Sequence, residues 1–278
     1  MEKIVLSETP LIQAFLCDNM DLMPTIKNNS VDLIYCDILY GTGRKFKDYQ
    51  DLKPIKQDIE NHYIPRINEM YRILKDTGSI YLQMDYKISH WIRRIMDDVF
   101  GYFNFRNEII WHYRTGNVSE KQFQRKHDTI FFYSKSDSWK FHPQEIKEYY
   151  ASIYGPQFKP SFKGRKSGKD EYGEFRISFI DDVWNLSAVF TLSNEHTGYP
   201  TQKPEKLLER IIKASSNNND LVADFYMGSG TTAVVCKELN RNFIGCDINE
   251  MAINIAKSRF DKKFFKQKNI NDFMETIK

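Results

Sequence analysis

The chain has 278 residues, 41% hydrophobic and 14% aromatic, enough to bury one substantial core or one core plus a small insert. Its 40 Lys and Arg against 37 Asp and Glu leave a net charge of only +3. That excludes a uniform basic coating, so any phosphate contacts must be concentrated on particular segments. No run of about 18 apolar residues is present and residues 1–8 lack the apolar centre of a secretion signal, which predicts a soluble, cytoplasmic protein without a membrane partner.

In chain order, the apolar residues 14–17 run into Asp18. Residues 31–36 read as a strand that ends in Asp37-Ile38-Leu39-Tyr40, with a loop over 41–45 behind it. Apolar residues at Ile59, Tyr63, Ile67, Met70, Ile73 and Leu74 predict a helix, residues 75–78 a turn, 79–84 a strand and about 88–99 a second helix. This alternation argues for an α/β domain with a largely parallel sheet, and the β-rich runs 107–113 and 128–133 are expected to pair antiparallel at its edge. From about residue 135 to 196 the apolar periodicity weakens, while Lys159, Lys163, Arg165, Lys166 and Lys169 gather among Pro and Gly. The segment reads as a mobile basic loop, and a solvated loop without a partner is the competing reading. Regular patterning resumes with a helix over 205–215. The division is therefore 1–134 and 197–278 as two halves of one domain, with 135–196 inserted between them and no internal repeat. Cys17, Cys36, Cys236 and Cys246 form no Cys-x-x-Cys pair and the six histidines do not cluster, so reduced thiols and no metal are expected.

The densest signal lies near the end. Residues 221–226 form a short apolar run, residues 231–239 carry apolar positions at helical spacing, and Asp224, Phe225, Tyr226, Met227, Gly228, Ser229, Gly230, Thr231 and Thr232 bridge the two. Glycines at such a turn let a ligand approach the main chain, and the N–H groups opening the helix favour an anionic group. The next strand, 242–247, ends in Asp247, and about 20 residues from glycine loop to acid is the spacing at which a carboxylate reaches ribose hydroxyls. An ordinary tight turn is the bland alternative. A phosphate-binding P-loop needs a lysine before the Ser/Thr, and Gly230 stands there instead.

The tetrapeptide Asp37-Ile38-Leu39-Tyr40 resembles the Asp-Pro-Pro-Tyr/Phe signature of amino-group DNA methyltransferases. Residues 197–204, Thr-Gly-Tyr-Pro-Thr-Gln-Lys-Pro, and the following Leu-Leu-Glu-Arg-Ile-Ile look like the segment that precedes the family's cofactor loop. Catalytic motif, variable insert and cofactor motif in that order are similar to the β-class arrangement, over nearly the whole chain outside the insert. The resemblance implies a Rossmann-like methyltransferase sheet with helices on both faces, a target-recognition insert over 135–196, and S-adenosylmethionine as cofactor. It assigns Asp224, Phe225, Met227, Gly228, Ser229, Gly230, Thr231 and Thr232 to the cofactor loop and Asp247 to the ribose. Asp18 corresponds to the acid near the cofactor adenine, with a helix N-cap as the alternative, and Thr201 and Lys203 to groups near the cofactor carboxylate.

The exocyclic amine of adenine is a poor nucleophile because its lone pair is delocalised into the ring. Asp37 and the Ile38 carbonyl supply acceptors for its N–H groups, and Tyr40 a face for stacking a base extruded from the duplex. The sequence departs from the family at Ile38 and Leu39, where two prolines would fix φ near −65°. That leaves the stiffness of the loop in question. DNA contacts are expected from Arg44, Lys45, Arg114, Lys121, Arg125 and Lys126, and from Lys163, Arg165, Lys166 and Lys169 of the insert, with a solvated charged face as the alternative. The expected activity is site-specific methylation of adenine N6 in double-stranded DNA. Cytosine N4 is the nearest alternative, although in the family it more often accompanies a serine in place of Asp37. A catalytically silent DNA-binding homologue and an RNA or small-molecule methyltransferase are further readings. A homodimer and a companion restriction endonuclease are partners the resemblance allows.

Overall fold

A computed structural model describes residues 1–43, 51–113, 119–154 and 166–261. One sheet of nine strands organises the chain: β1 (Glu2–Glu8), β2 (Leu11–Leu16), β3 (Val31–Asp37), β4 (Leu74–Met84), β5 (Phe105–His112), β6 (His127–Ser134), β10 (Val183–Asn185), β11 (Leu221–Asp224) and β12 (Asn242–Asp247), in the spatial order β1-β2-β12-β11-β3-β4-β6-β5-β10. Only β1 and β6 run against the rest. The expected α/β architecture is therefore present. After β3 the chain moves outward to β4, whereas after β11 it moves the other way to β12. Such a reversal opens a crevice at the carboxyl ends of β3 and β11, where open α/β sheets bind ligands.

Helices cover both faces. On one side, α2 (Lys56–Ile73) presents Ile59, Tyr63, Ile67, Met70 and Ile73, and α3 (Tyr86–Phe100) presents Ile88, Ile92, Ile95 and Met96. The three- and four-residue spacing of these side chains makes a single buried stripe. On the other side lie α5 (Glu205–Ser215), α6 (Thr231–Glu238) and α7 (Glu250–Phe260), with Leu207, Leu208, Ile211, Ile212, Val235 and Ile253 in a second core cluster. Asp85 starts α3 by accepting the Lys87 N–H at 2.9 Å, and Asn249 starts α7 by accepting that of Met251. The four-residue α1 (Asn19–Leu22) follows β2.

Three features differ from the sequence expectations. Residues 75–78 form no simple turn, because β4 already starts at Leu74 and the register with β3 slips between Val31 and Leu33. A buried Asp32, paired with Lys75 at 2.7 Å, holds this irregular stretch against β3. The antiparallel pair β5–β6 forms, but β10 adds to β5 and takes the outer edge, while β1–β2 closes the other edge. The segment read as a mobile basic loop contains a second sheet, β7 (Glu145–Tyr149), β9 (Gly173–Phe179) and β8 (Ser167–Asp170), with the short helix α4 (Tyr150–Tyr154) after β7. Its strands are mostly half-buried or exposed, so they carry no clean apolar alternation. The segment is seated on the main domain by His142 N–H donating to the Ala214 carbonyl and Gln144 to that of Arg210, each at 2.7 Å.

Candidate active site

Every strand that ends at the crevice delivers a carboxylate: Asp18 after β2, Asp37 from β3, Asp224 from β11 and Asp247 from β12. They line one cavity of about 540 Å³ together with Ile38, Leu39, Tyr40, Thr201, Lys203, Phe225, Met227, Gly228, Ser229, Thr231 and Thr232. The tetrapeptide 37–40 and the glycine loop, almost two hundred residues apart in the chain, thus share a single hollow. A cavity of several hundred Å³ suits a nucleoside-sized molecule.

On the glycine-loop side, Asp224 is 2% exposed and ties the turn together. It accepts the Tyr226 N–H at 3.0 Å and the Thr232 hydroxyl at 2.6 Å. Burial pushes its carboxyl up to about 7, against those two bonds. Asp247 accepts the N–H groups of Gly228 and Asn249, each at 2.9 Å and each on a different oxygen. Both oxygens retain lone pairs that ribose hydroxyls could use. Gly228 has φ +47°, and a Cβ there would lie 3.2 Å from the Tyr199 ring. Gly230, in contrast, does not line the cavity. Its φ is +75°, and a Cβ at this position would lie only 2.8 Å from that of Ala256. The packing of α7 therefore requires the glycine, which lets α6 start close against it.

On the side of the tetrapeptide, the Tyr40 hydroxyl lies 2.9 Å from Asp37 Oδ1 and 2.6 Å from Asp128 Oδ2, with one proton for the two acceptors. The Lys203 ammonium ion-pairs with Asp37 Oδ2 and lies 5.3 Å from the centre of the Tyr40 ring. Burial raises the Asp37 carboxyl above its ordinary range, and the Lys203 charge opposes that rise. Lys203, expected near a cofactor carboxylate, thus lines the cavity and is ion-paired there with Asp37. Thr201 is exposed at the rim, and its carbonyl accepts from Lys203 at 3.4 Å.

The loop is also less free than its missing prolines suggest. Ile38 donates its N–H to the Gln83 carbonyl at 3.0 Å, Tyr63 donates its hydroxyl to the Leu39 carbonyl at 3.0 Å, and the buried Asp51 accepts the Gly41 and Thr42 N–H groups at 3.1 and 2.7 Å.

The profile of the DNA methylase family of N6 and N4 methyltransferases matches residues 31–258. The chain belongs to this family of DNA methyltransferases. It is 34% identical to the type II methyltransferase M.HpaI of Haemophilus parainfluenzae over 91% of this chain and 75% of that protein. It is 30% identical to the DNA adenine methyltransferase YhdJ of Escherichia coli (strain K12) over 88% of this chain and 81% of that one. The fold resembles the M1.HpyAVI–SAM complex with a TM-score of 0.60 and 21% identity, covering 90% of this chain and 99% of that one. It resembles the cytosine-N4-specific PvuII DNA methyltransferase with a TM-score of 0.63 and 17% identity, covering 90% and 85%.

Several residues in or beside the cavity escaped the motifs. Arg66 of α2 donates to Asn19 at 2.8 Å and to both Asp18 oxygens, while Asp18 also caps α1 through the Met20 N–H at 2.7 Å. The cap anticipated at Asp18 thus exists, and the side chain still borders the cavity. His62, one turn before Arg66, contacts the Tyr226 hydroxyl at 3.3 Å, and burial lowers its pKa to about 4, so it is neutral at physiological pH. Their sequence signal was faint: two polar residues beside the apolar stripe of α2. Arg259 of α7 is 0% exposed and joins the Ser229 carbonyl and Thr231 hydroxyl to Glu205 of α5.

Of the expected DNA-contacting residues, Arg44, Lys45, Arg114, Lys163 and Arg165 lie outside the described residues. Lys121 and Arg125 are exposed and Lys126 is half-buried, in the segment that links β5 to β6. Since β5 runs parallel to β3 and β4, this segment emerges at the same sheet edge as Asp37. Arg125 lies 4.3 Å over the ring of Tyr86, at the start of α3. Lys169 is exposed on β8, and Lys166 sits 3.5 Å from Glu145 at the surface. Among the described residues no group of His, Cys, Asp and Glu could hold a metal ion, and no helix is long and apolar enough to cross a membrane.

Proposed function

We propose that this methyltransferase transfers a methyl group from S-adenosylmethionine to the N6 amine of adenine in double-stranded DNA. The observation that carries the reading is Asp37 opposite the glycine loop in one cavity, presenting a carboxylate rather than a hydroxyl to an incoming amine. The adenine activity named for the YhdJ relative supports it. The free lone pairs of Asp247, the close approach possible at Gly228, and the hydroxyls of Ser229, Thr231 and Thr232 fit the ribose and amino-acid ends of the cofactor. When bound, S-adenosylmethionine supplies an electrophilic methyl group.

The chain's own contribution is positioning and charge placement. Asp37 accepts an N–H of the amine and favours a pyramidal nitrogen whose lone pair can attack. The Ile38 carbonyl is the second acceptor. Tyr40 offers an aromatic face, and the base either takes the face away from Lys203 or displaces its ammonium. Extrusion of the base costs a few kcal/mol, and stacking on one aromatic side chain returns roughly 1–3 kcal/mol. Lys121, Arg125, Lys126 and the basic residues of the insert hold the duplex, and residues 135–196 read the recognition sequence. The type II names of the relatives favour a restriction–modification role with an endonuclease as companion.

Transfer of labelled methyl from S-adenosylmethionine to unmethylated duplex DNA, followed by nucleoside analysis, tests the reading. N6-methyladenine is the expected product. N4-methylcytosine would overturn the choice of base, and absence of labelled DNA would overturn the activity.

A further inference from the structure

Asp128 lies outside both motifs, at the start of β6, and is only 4% exposed. Three side chains converge on its carboxylate. Tyr113 donates to Oδ1 at 2.8 Å, while Gln83 Nε2 (2.9 Å) and the Tyr40 hydroxyl (2.6 Å) meet at Oδ2. Gln83 is itself fixed by the Tyr35 hydroxyl, which donates to its Oε1 at 2.8 Å. The contact from Tyr40 to Asp128 is shorter than the one to Asp37, 2.6 against 2.9 Å. A phenol carries one proton, so the two carboxylates compete for it, and the oxygen pair left without it is repulsive unless a carboxyl supplies another. A buried carboxylate costs the fold free energy, which these three donors offset.

From this geometry we infer that Asp128 is a positioning residue for methyl transfer, which holds the Tyr40 hydroxyl, and with it the ring that receives the target base, in register with Asp37. The inference rests on the proposed role of Asp37 and Tyr40. The Tyr113 bond extends the same network to the stem of the β5–β6 connection, where the Tyr113 N–H also donates to the Lys126 carbonyl at 2.9 Å. Asp128 thus joins the ring of Tyr40 to a segment expected to meet DNA. Without Asp128, Tyr40 keeps Asp37 as an acceptor but loses the shorter of its two bonds, and the ring gains freedom to rotate.

Asp128→Asn preserves size while weakening acceptance at one oxygen, and Tyr40→Phe preserves the ring while removing the hydroxyl. The kcat for methyl transfer should fall at least about tenfold in Asp128→Asn, with cofactor affinity by calorimetry unchanged within about twofold. The double variant should be no slower than the slower single variant, since both act through one bond. A merely structural Asp128 would give multiplicative losses instead, or weaken cofactor binding and kcat together. A second readout needs no turnover. With 3-fluorotyrosine at position 40, the 19F resonance should be single and narrow in the parent protein, and shifted and broadened by Asp128→Asn. An unchanged resonance, wild-type kcat in Asp128→Asn, or multiplicative losses in the double variant would overturn the inference. If the parent protein transfers no methyl to DNA, the proposed function fails, and the 19F spectrum alone still decides the role of Asp128.

Discussion

Placing proline at position 38, as in the family signature, tests whether the Asp-Ile-Leu-Tyr loop is held by hydrogen bonds instead of ring constraints. Ile38→Pro removes the N–H that Gln83 accepts at 3.0 Å, extending the β3–β4 ladder by one rung. A carbonyl left without that partner costs about 1–3 kcal/mol. Ile38 is also 2% exposed within the core, and the smaller ring forfeits about another 1 kcal/mol. Reduced freedom of the unfolded chain returns about 0.4–1 kcal/mol. The net loss is about 1–3.6 kcal/mol, and at about 2–4 °C per kcal/mol the melting temperature should fall by about 2–14 °C. Thermal unfolding followed by circular dichroism measures this, beside the initial rate of labelled-methyl transfer at a temperature where both proteins are folded. Because Tyr63, Asp51 and the two acids at Tyr40 already fix the loop, the variant should turn over no faster than its parent. An Ile38→Pro protein as stable as the parent and faster in turnover would refute this account and make loop mobility the limiting factor.

Further expectations rest on other contacts. Lys203→Met removes the cation that opposes the burial-driven rise of the Asp37 carboxyl, so protonation of Asp37 should set in at higher pH. The acidic limb of the kcat/KM profile should move to higher pH, and an unmoved limb would separate Lys203 from the chemistry. Arg259→Leu removes the guanidinium's bonds to the Glu205 carboxylate, the Ser229 carbonyl and the Thr231 hydroxyl, and denaturant unfolding should show a loss of about 3–5 kcal/mol. Near-wild-type stability would mean that water replaces the guanidinium. Replacing Lys121, Arg125 and Lys126 together by glutamine should flatten the dependence of log Kobs on log salt by up to about 2.7, three contacts at about 0.9 each, with an unchanged slope removing this segment from the DNA interface.

Backbone geometry proved legible where one short stretch of chain sets it. The glycine turn between 224 and 232, the acid closing the strand at 247 and the acid at 37 are each set by local geometry: a strand end, a left-handed backbone position, a helix start. What locality hides are roles shared between distant segments. Gly230 reads as part of a glycine loop, but the packing of its backbone against the Ala256 methyl, some twenty-five residues on, is not in the motif. The pairing of Lys203 with Asp37, across 166 positions, is written in no motif. Asp128 looks like the polar start of an apolar strand until β6 is inserted beside β4, which brings it to Tyr40 and Gln83. The insert defeated periodicity for a different reason, since a small, half-exposed sheet buries too little to imprint a pattern.

Local chemistry in the sequence thus determined which side chains could take part: carboxylates at strand ends, glycines at a turn, an aromatic after the catalytic acid. Only the order of strands in the sheet decided which of them meet. The reversal between β3 and β11 sets Asp37 against the glycine loop, and the antiparallel entry of β6 supplies the buried carboxylate that grips Tyr40. The physical reason is that strand pairing is fixed by backbone hydrogen bonds and by burial of both sheet faces at once, contacts between segments far apart in the chain that no window of sequence contains.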